Sequence, residues 1–435
     1  MINLSKRITT LEVQRTRLGS EVVVAGFVEQ TKLLGKMAFL KLRDREGYVQ
    51  IVATSNYPKM KDLNTISRES VISIRGRVKK SRARSGGKEL ELIELNLLSR
   101  AATPLPIEFL GKNIETDLSK RLDWRFLDMR NKKIQAIFEI KAEIARAFRE
   151  FFRNEGFTEI WTPSIISSSS EGGTELFEAK YFNKKVFLAQ SPQLYKQMAV
   201  MSNLEKVFMI SPVWRAEPHD THKHLNEVRQ MDIEVAFAGQ KEVINYLDRC
   251  VKYIVRSVLK NCKSQVALVN PGLKVPASKY ISYDEAIATL QKQKFKIKWG
   301  SDISSEAEQK LGDIFGRDNL LHIHNWPSAE KPFYIMPQGE NPSAKYSEGF
   351  DTEYGGIELS SGGQRVHIPV ILEKQLKERG LKPKDFKRYI DSFRYGAPPH
   401  AGWSIGLERL TMIITGRANI RESVLFPRTR DRLTP

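Results

Sequence analysis

Apolar and polar residues alternate in short runs through the first hundred positions. VISIRGRV (71–78) and KELELIEL (88–95) each predict a strand, with RSGG (84–87) as the turn between them. AFLKLRDREGYVQIVA (38–53) predicts a hairpin turning at Asp44-Arg45-Glu46-Gly47. Alternation assigns Leu40 and Leu42 to its core face, and Phe39, Lys41 and Arg43 to the opposite face. Short strands at this spacing predict a small antiparallel barrel. RAATPLPIEFLGKN (100–113), with two prolines and a glycine, reads as a linker. Beyond it the period changes. In AIFEIKAEIARAFREFFRNEGF (136–157), Ile137, Ile140, Ile144, Phe148, Phe151 and Phe152 recur at helical spacing, and Gly156 is a natural stop. A second amphipathic helix is predicted over 241–260 through Val243, Leu247, Val251, Ile254 and Val258. KVFLAQ, KVFMIS, IEVAF and YGGIELS read as strands, so the larger part is α+β, organised around an antiparallel sheet. Residues 265–330 are less patterned and read as an insertion.

Charge changes the picture of the barrel. Over 435 residues, 70 Lys and Arg face 51 Asp and Glu, a formal net charge of +19 that suggests an anionic partner such as nucleic acid or a nucleotide. Residues 1–100 hold 20 of those cations against 10 acids. A basic barrel with an exposed aromatic suits single-stranded nucleic acid, whose bases stack on rings while cations hold phosphates. Alternation alone leaves Phe39 either such a platform or an ordinary core residue. The length allows two or three domains. With only Cys250 and Cys262, the chain has neither a disulfide scaffold nor a Cys-rich zinc module, which fits a reducing cytoplasm. MINLSKRITT lacks the apolar core of a signal peptide, and no run approaches the roughly 18 apolar residues of a membrane span. The expectation is a soluble cytoplasmic protein.

The chemistry-bearing residues are scattered. No G-x-x-x-x-G-K-[ST] loop is present, and Ser85-Gly86-Gly87-Lys88 is only a turn. His219, His222 and His224 lie in WRAEPHDTHKHLNE (214–227) without a nearby cysteine, and read as a polar loop rather than a zinc site. Three distant segments each pair an arginine with an acid: Arg215/Glu217, Glu358/Arg365 and Glu408/Arg409. Arginine forks suit phosphate and carboxylate, and acids suit Mg²⁺ or a purine amino group. In AQSPQLYKQM (189–198), periodicity alone makes Lys196 a helix-surface cation.

With their neighbours, these segments resemble the signature motifs of class II aminoacyl-tRNA synthetases: GFTEIWTP (156–163, with Pro163), WRAEPHDTHKHLNE and GWSIGLERL (402–410). EGGTELF (171–177), QSPQLYKQ (190–197), IELSSGGQR (357–365), FRYGAPPH (393–400) and LFPRTRDRL (425–433) narrow the resemblance to aspartyl-tRNA synthetases of the archaeal/eukaryotic type, over essentially the whole chain. The resemblance implies a class II catalytic domain on an antiparallel sheet flanked by helices (134–435, with 265–330 inserted). It also implies a hinge at 105–133 and an N-terminal OB-fold that binds the anticodon (1–104). A homodimer through the first motif is implied as well.

The implied activity is aspartate–tRNA ligation with ATP and Mg²⁺. Arg215 would bridge carboxylate and α-phosphate, with Arg409 as the second catalytic arginine. Arg215, Ala216, Glu217, Lys223, His224, Leu225, Glu358, Gly406, Leu407, Glu408 and Arg409 would hold ATP, and Glu358 and Ser361 the metal. Aspartate would meet Glu171, Gln193 and Asp232 at its amino group, Arg215 at its α-carboxylate, and Lys196, Ser361 and Arg365 at its side chain. Phe39 and Gln50 match positions that contact the central anticodon base, which favours stacking for Phe39. Glu29 and Ser85 fall where a strict enzyme would carry tryptophan and lysine, so tRNA-Asn joins tRNA-Asp as an expected substrate. Ser404 stands where the third motif usually has glycine, and Val228 where some relatives stack an aromatic on adenine. The rival readings are an asparaginyl-tRNA synthetase, which typically has an apolar residue at the position of Lys196 and glutamate at that of Asp232, and a non-catalytic RNA-binding relative.

Overall fold

The computed structural model describes residues 2–82, 86–111, 115–167, 176–218 and 221–435. The chain divides into two compact units, Met1–Glu108 and Phe109–Pro435. In the first, β1 (Glu21–Leu34), β2 (Met37–Arg43), β3 (Tyr48–Thr54), β4 (Val71–Lys80) and β5 (Lys88–Ser99) close into a barrel in the order β1-β2-β3-β5-β4. Alternation does the closing: Leu40, Leu42, Ile51, Ile72, Ile74 and Leu90 fill the interior, while Phe39 stays half-buried outside. The hairpin turns where expected, because Asp44 Oδ1 accepts the backbone N–H of Glu46 and of Gly47 at 2.9 and 3.2 Å. Arg43 departs from the exposed face assigned to it. It is 6% exposed and grips Glu69 with both guanidinium arms at 3.0 and 2.8 Å, so neither charge is left buried alone. The turn expected at 84–87 lies partly outside the described residues.

The second unit contains β6 (Thr158–Glu159), β7 (Ile165–Ile166), β8 (Glu178–Tyr181), β9 (Lys184–Leu188), β10 (Lys206–Trp214), β11 (Glu227–Ala236), β12 (Ser278–Ser282), β13 (Leu320–His324), β14 (Gly349–Tyr354), β15 (Ile357–Gln364) and β16 (His400–Gly406). Eight of these form one sheet in the order β12-β13-β14-β15-β16-β11-β10-β6. The sheet is antiparallel except at its edges, where β10/β6 and β12/β13 run parallel. Strands β7, β9 and β8 make a small separate sheet.

Helix Lys132–Asn154 begins at Asn131, whose side chain accepts the N–H of Lys133, and Gly156 follows it with φ +80°. Together with helix Gln240–Asn261 it covers one face of the sheet. Phe148 and Phe152 meet Phe208 and Trp403 edge-on or stacked at 5.7 to 6.4 Å, and the Trp403 indole N–H donates to the Val243 carbonyl at 2.9 Å. The segment 265–330 adds β12 and β13 to the sheet edge, and its helices Tyr283–Lys292 and Ser305–Phe315 enclose their own core of Tyr283, Leu311, Ile323 and Trp326. A five-residue, half-exposed edge strand leaves little periodicity to read. The opposite face of the sheet, over β11, β15 and β16, is left to polar residues and carries the cavity described next.

Candidate active site

The cavity has a volume of about 350 Å³, with Gln193, Arg215, Gln230, Glu358, Ser361, Arg365, Ser404 and Arg409 among its lining residues. Beneath its floor lies a cluster of four buried charges. Helix Gln193–Val200 turns Gln193, Lys196, Gln197 and Val200 inward, the stripe that i, i+3, i+4 and i+7 spacing produces. Lys196 is therefore fully buried, not on the surface. Its ammonium donates to Asp232 Oδ1 at 2.7 Å and to the Trp403 carbonyl at 3.2 Å, and lies 3.6 Å from Glu234. Arg365 binds Glu234 through Nε and Nη2 at 2.9 and 3.3 Å. No hydrogen bond from Arg365 Nη1 to protein is found among the described residues. Gly402 admits the Glu234 carboxylate, since a Cβ there would sit 2.2 Å from Oε2.

Burial raises the Asp232 pKa against the pull of Lys196. It also works to raise that of Glu234, where Arg365 and Lys196 outweigh it and hold the carboxyl below its ordinary value. Lys196 and Asp232 are not among the lining residues, whereas Gln193, Ser361 and Arg365 are. Lys196, expected from the resemblance at a substrate carboxylate, pairs here with the protein acids Asp232 and Glu234. Glu171 lies outside the described residues.

His400, fully buried, faces the Gln197 amide oxygen at 3.2 Å and the Pro398 carbonyl at 2.9 Å. Burial pushes its pKa down to about 4, with Glu234 opposing and Arg365 and His367 adding to the fall. A depressed histidine favours folding while neutral, so its contribution is present above about pH 6.5 and is lost as pH falls toward 4. The loss amounts to about 3 kcal/mol at most. His400→Gln is expected to flatten the decline of Tm between pH 6.5 and 4.5, and thermal melts across that range check it; an unchanged slope would refute the assignment.

The nucleotide-like end of the cavity is cationic. Asn226 ties the base of the loop after β10 by accepting the Arg215 N–H at 3.0 Å and donating to the carbonyls of Arg215 and Glu217. Arg215 Nε is buried and has no hydrogen-bond partner among the described residues. His224 is held by Thr221 at 2.6 Å and approaches Glu217 at 3.8 Å. Burial lowers its pKa, Glu217 opposes the shift, and Arg409, Lys223 and Arg215 reinforce it. Lys223 pairs with Glu308 of helix Ser305–Phe315 at 2.9 Å, and Arg409 donates to the Glu358 carbonyl. Val228, Leu225 and Ile420 provide an apolar wall.

Three residues expected at the nucleotide have partners elsewhere, although Glu408 also lines the cavity. The Glu408 carboxylate binds Lys141 at 2.7 Å and the Arg229 N–H at 2.8 Å, and the Leu407 side chain joins the main core. Ala216 lines a neighbouring pocket with Phe177, Trp214 and Arg428.

Asp351 stands opposite Ser361 across β14 and β15, its Oδ2 2.6 Å from Lys331 and its Oδ1 buried with no hydrogen-bond partner among the described residues. Burial raises its pKa to about 6, with Lys331 opposing and Glu358 adding to the rise. An all-oxygen set of Glu358, Ser361 and Asp351, with one unsatisfied carboxylate oxygen, fits a hard cation such as Mg²⁺. Among the described residues no His/Cys/Asp/Glu trio suits a metal. His222 meets Asn419, and His219 lies outside the described residues.

Sequence reasoning missed Glu234, Asp351 and Glu308. Their positions follow from strand register and a long-range ion pair, although the acid-rich alternation of GFDTEY (349–354) was a signal for Asp351.

On the barrel, Phe39 lies across from Lys32 and Val52. Gln50 faces Lys41 and donates to Glu89 at 3.0 Å, and Glu29 pairs with Lys41. Ser85 is outside the described residues. No described helix is long and apolar enough to cross a membrane.

Residues 117–430 match the family described as tRNA synthetases class II (D, K and N), and residues 22–98 match the OB-fold nucleic acid binding domain. Aspartate--tRNA(Asp/Asn) ligase from Methanocaldococcus jannaschii is 42% identical over 426 residues, spanning 96% of this chain and 95% of that protein. Aspartate--tRNA(Asp) ligase from Pyrococcus horikoshii is 43% identical over 433 residues, 98% of each chain. The solved asparaginyl-tRNA synthetase from Pyrococcus horikoshii, complexed with asparaginyl-adenylate, matches with a TM-score of 0.92 at 31% identity, covering 98% of this chain and 99% of that one. With both units matched and relatives above 40% identity along nearly the full length, the chain belongs to the class II tRNA synthetases of the D, K and N group and carries their OB-fold nucleic-acid-binding domain.

Proposed function

We propose that this chain is an aspartate–tRNA ligase, active in the cytoplasm as a homodimer, that first forms aspartyl-adenylate and then aspartyl-tRNA. One observation carries the choice of amino acid. The Lys196–Asp232–Glu234–Arg365 cluster balances its own charges while, among the described residues, Arg365 Nη1 makes no hydrogen bond to protein beside the cavity. A carboxylate is the natural partner for that arm, whereas a neutral amide would leave it half-satisfied.

In the first step an oxygen of the substrate's α-carboxylate attacks the α-phosphorus of ATP. The new C–O–P linkage forms as the bond to the bridging oxygen breaks, and pyrophosphate leaves with that electron pair. The nucleophile is already an anion, so no general base is required. The chain's task is to bring two anions together and offset charge growing on phosphorus. Arg215 and Arg409 suit that task, with Glu217, Lys223 and His224 around the nucleotide and the Val228 wall against its base. Glu358, Ser361 and Asp351 would hold Mg²⁺, which when bound supplies charge neutralisation at the phosphates. In the second step the 3′-hydroxyl of the terminal adenosine attacks the acyl carbon, and AMP leaves.

The barrel would read the anticodon, with Phe39 as the stacking ring and Gln50, Glu29 and Ser85 nearby. Helix Lys132–Asn154 and the strand before Pro163, where Trp161 is 81% exposed, would supply the subunit interface. Glu171 would meet the amino group. Similar proteins bear both Asp/Asn and Asp names, and the absence of tryptophan at Glu29 and lysine at Ser85 favours charging of tRNA-Asn as well as tRNA-Asp.

ATP–pyrophosphate exchange tests the reading. Aspartate is expected to exceed asparagine in kcat/KM by about a hundredfold or more. The reverse order would make the chain an asparaginyl enzyme, and exchange with neither would leave an RNA-binding protein. Charging of purified tRNA-Asn by labelled aspartate decides the tRNA question.

A further inference from the structure

Ser404 lies in the middle of β16, across from Asp232 of β11 on one side and Ser361 of β15 on the other. Directly opposed residues of an antiparallel sheet project from the same face. These three polar residues therefore form a row on one face of the sheet with Ser404 at its centre, Ser361 and Ser404 lining the cavity and Asp232 just beneath it. Ser404 lines the cavity, yet its hydroxyl oxygen is buried and finds no hydrogen-bond partner among the described residues. Asp232 Oδ2 and Gln193 Nε2 are likewise buried and unpartnered.

An unmade hydrogen bond at a buried hydroxyl is a standing cost, and glycine, the usual residue at this point of the motif, would avoid it. A ligand that satisfies the hydroxyl removes the cost. The surroundings indicate which ligand group. Ser404 stands between the carboxyl of Asp232 and a serine whose other neighbour across the sheet is Asp351. Acceptors on both sides disfavour an anion and favour a multi-donor cation. A primary ammonium has three N–H donors in a fan, enough to reach Asp232 and a hydroxyl together.

We propose that the Ser404 hydroxyl accepts a hydrogen bond from the α-ammonium of the amino-acid substrate, acting beside Asp232 as a specificity residue that glycine-bearing relatives lack. This rests on reading the cavity as the site of amino-acid activation. A change of χ1 to another staggered rotamer, which a serine makes readily, would turn Oγ from the floor to the substrate.

The test is pyrophosphate exchange by the wild type, Ser404→Ala and Ser404→Gly, with separate KM values for aspartate and ATP. Inhibition by succinate, which keeps both carboxylates and lacks the ammonium, is measured alongside. The aspartate KM is expected to rise about tenfold in both variants, the scale of one charge-assisted hydrogen bond. The ATP KM and the succinate inhibition constant are expected to stay within twofold. An aspartate KM unchanged within twofold overturns the proposal. So does a parallel loss of succinate or ATP affinity, which would mark Ser404 as a packing residue. If the wild-type protein fails to activate aspartate at all, the reading of the cavity itself is what has failed.

Discussion

Arg215→Gln is expected to lower kcat/KM for aspartate-dependent pyrophosphate exchange by about a thousandfold or more, while thermal stability changes little. The expectation follows from where the residue is fixed and what it lacks. Its backbone is clamped by Asn226 on both N–H and carbonyl, so the loop geometry does not depend on the guanidinium. The side chain has a buried Nε with no hydrogen-bond partner among the described residues, in a cavity that also presents Arg409, Lys223 and His224. Two anions must meet there, and one permanently charged, forked donor can contact both at once. Glutamine keeps a donor but is two bonds shorter and removes the charge. Arg215→Lys keeps the charge but not the fork, and is expected to recover no more than about tenfold of the loss. Single-turnover adenylate formation, measured at saturating aspartate and ATP, separates this chemical effect from weaker binding. A variant within tenfold of the wild type would remove Arg215 from the chemistry.

What could be read from sequence depended on whether the signal was local. The barrel was legible because Leu40, Leu42, Ile72 and Ile74 alternate within single strands. The two long helices were legible because residues such as Ile140, Ile144 and Phe148 repeat every turn. The edge strand Ser278–Ser282 and its neighbour Leu320–His324 were not, since a short parallel pair recruited to an existing sheet carries no period of its own. The site divides in the same way. Arg215 and Arg409 were visible as motif residues. Glu234 was not, because its importance comes from Arg365, which lies 131 positions away along the chain. Asp351 depends on the register that sets it opposite Ser361. Within GLER (406–409), Gly406, Glu408 and Arg409 line the cavity, while the Glu408 carboxylate also binds Lys141 and Leu407 packs in the core, a division the motif does not reveal. The burial of Lys196 ran against the helix-surface position that periodicity alone assigned, and it is explained only once the stripe Gln193, Lys196, Gln197 and Val200 is set against β11.

That burial turns Lys196→Leu into a sharper experiment than a simple contact deletion. Lys196 touches Asp232 and Glu234, not the cavity, so it acts through them as a positioning residue. Two cations and two acids make the cluster neutral, which leaves Arg365 free to attract a substrate carboxylate. Removing the ammonium gives two acids against one arginine, and the pocket then repels the anion it is built to receive. Aspartate kcat/KM is expected to fall at least about a hundredfold, and the preference for aspartate over asparagine to shrink by a similar factor, with ATP affinity nearly unchanged. Losing one partner of a buried pair also costs about 3 to 5 kcal/mol of stability, so the single variant risks unfolding. Lys196→Met combined with Asp232→Leu removes both charges and avoids stranding Asp232. That double variant is expected to melt close to the wild type and still activate aspartate poorly, because it also loses the acid set beside the substrate ammonium. If instead it regains both stability and aspartate kcat/KM, the Lys196–Asp232 pair serves only the fold, and selection of the acid side chain belongs to Arg365 alone.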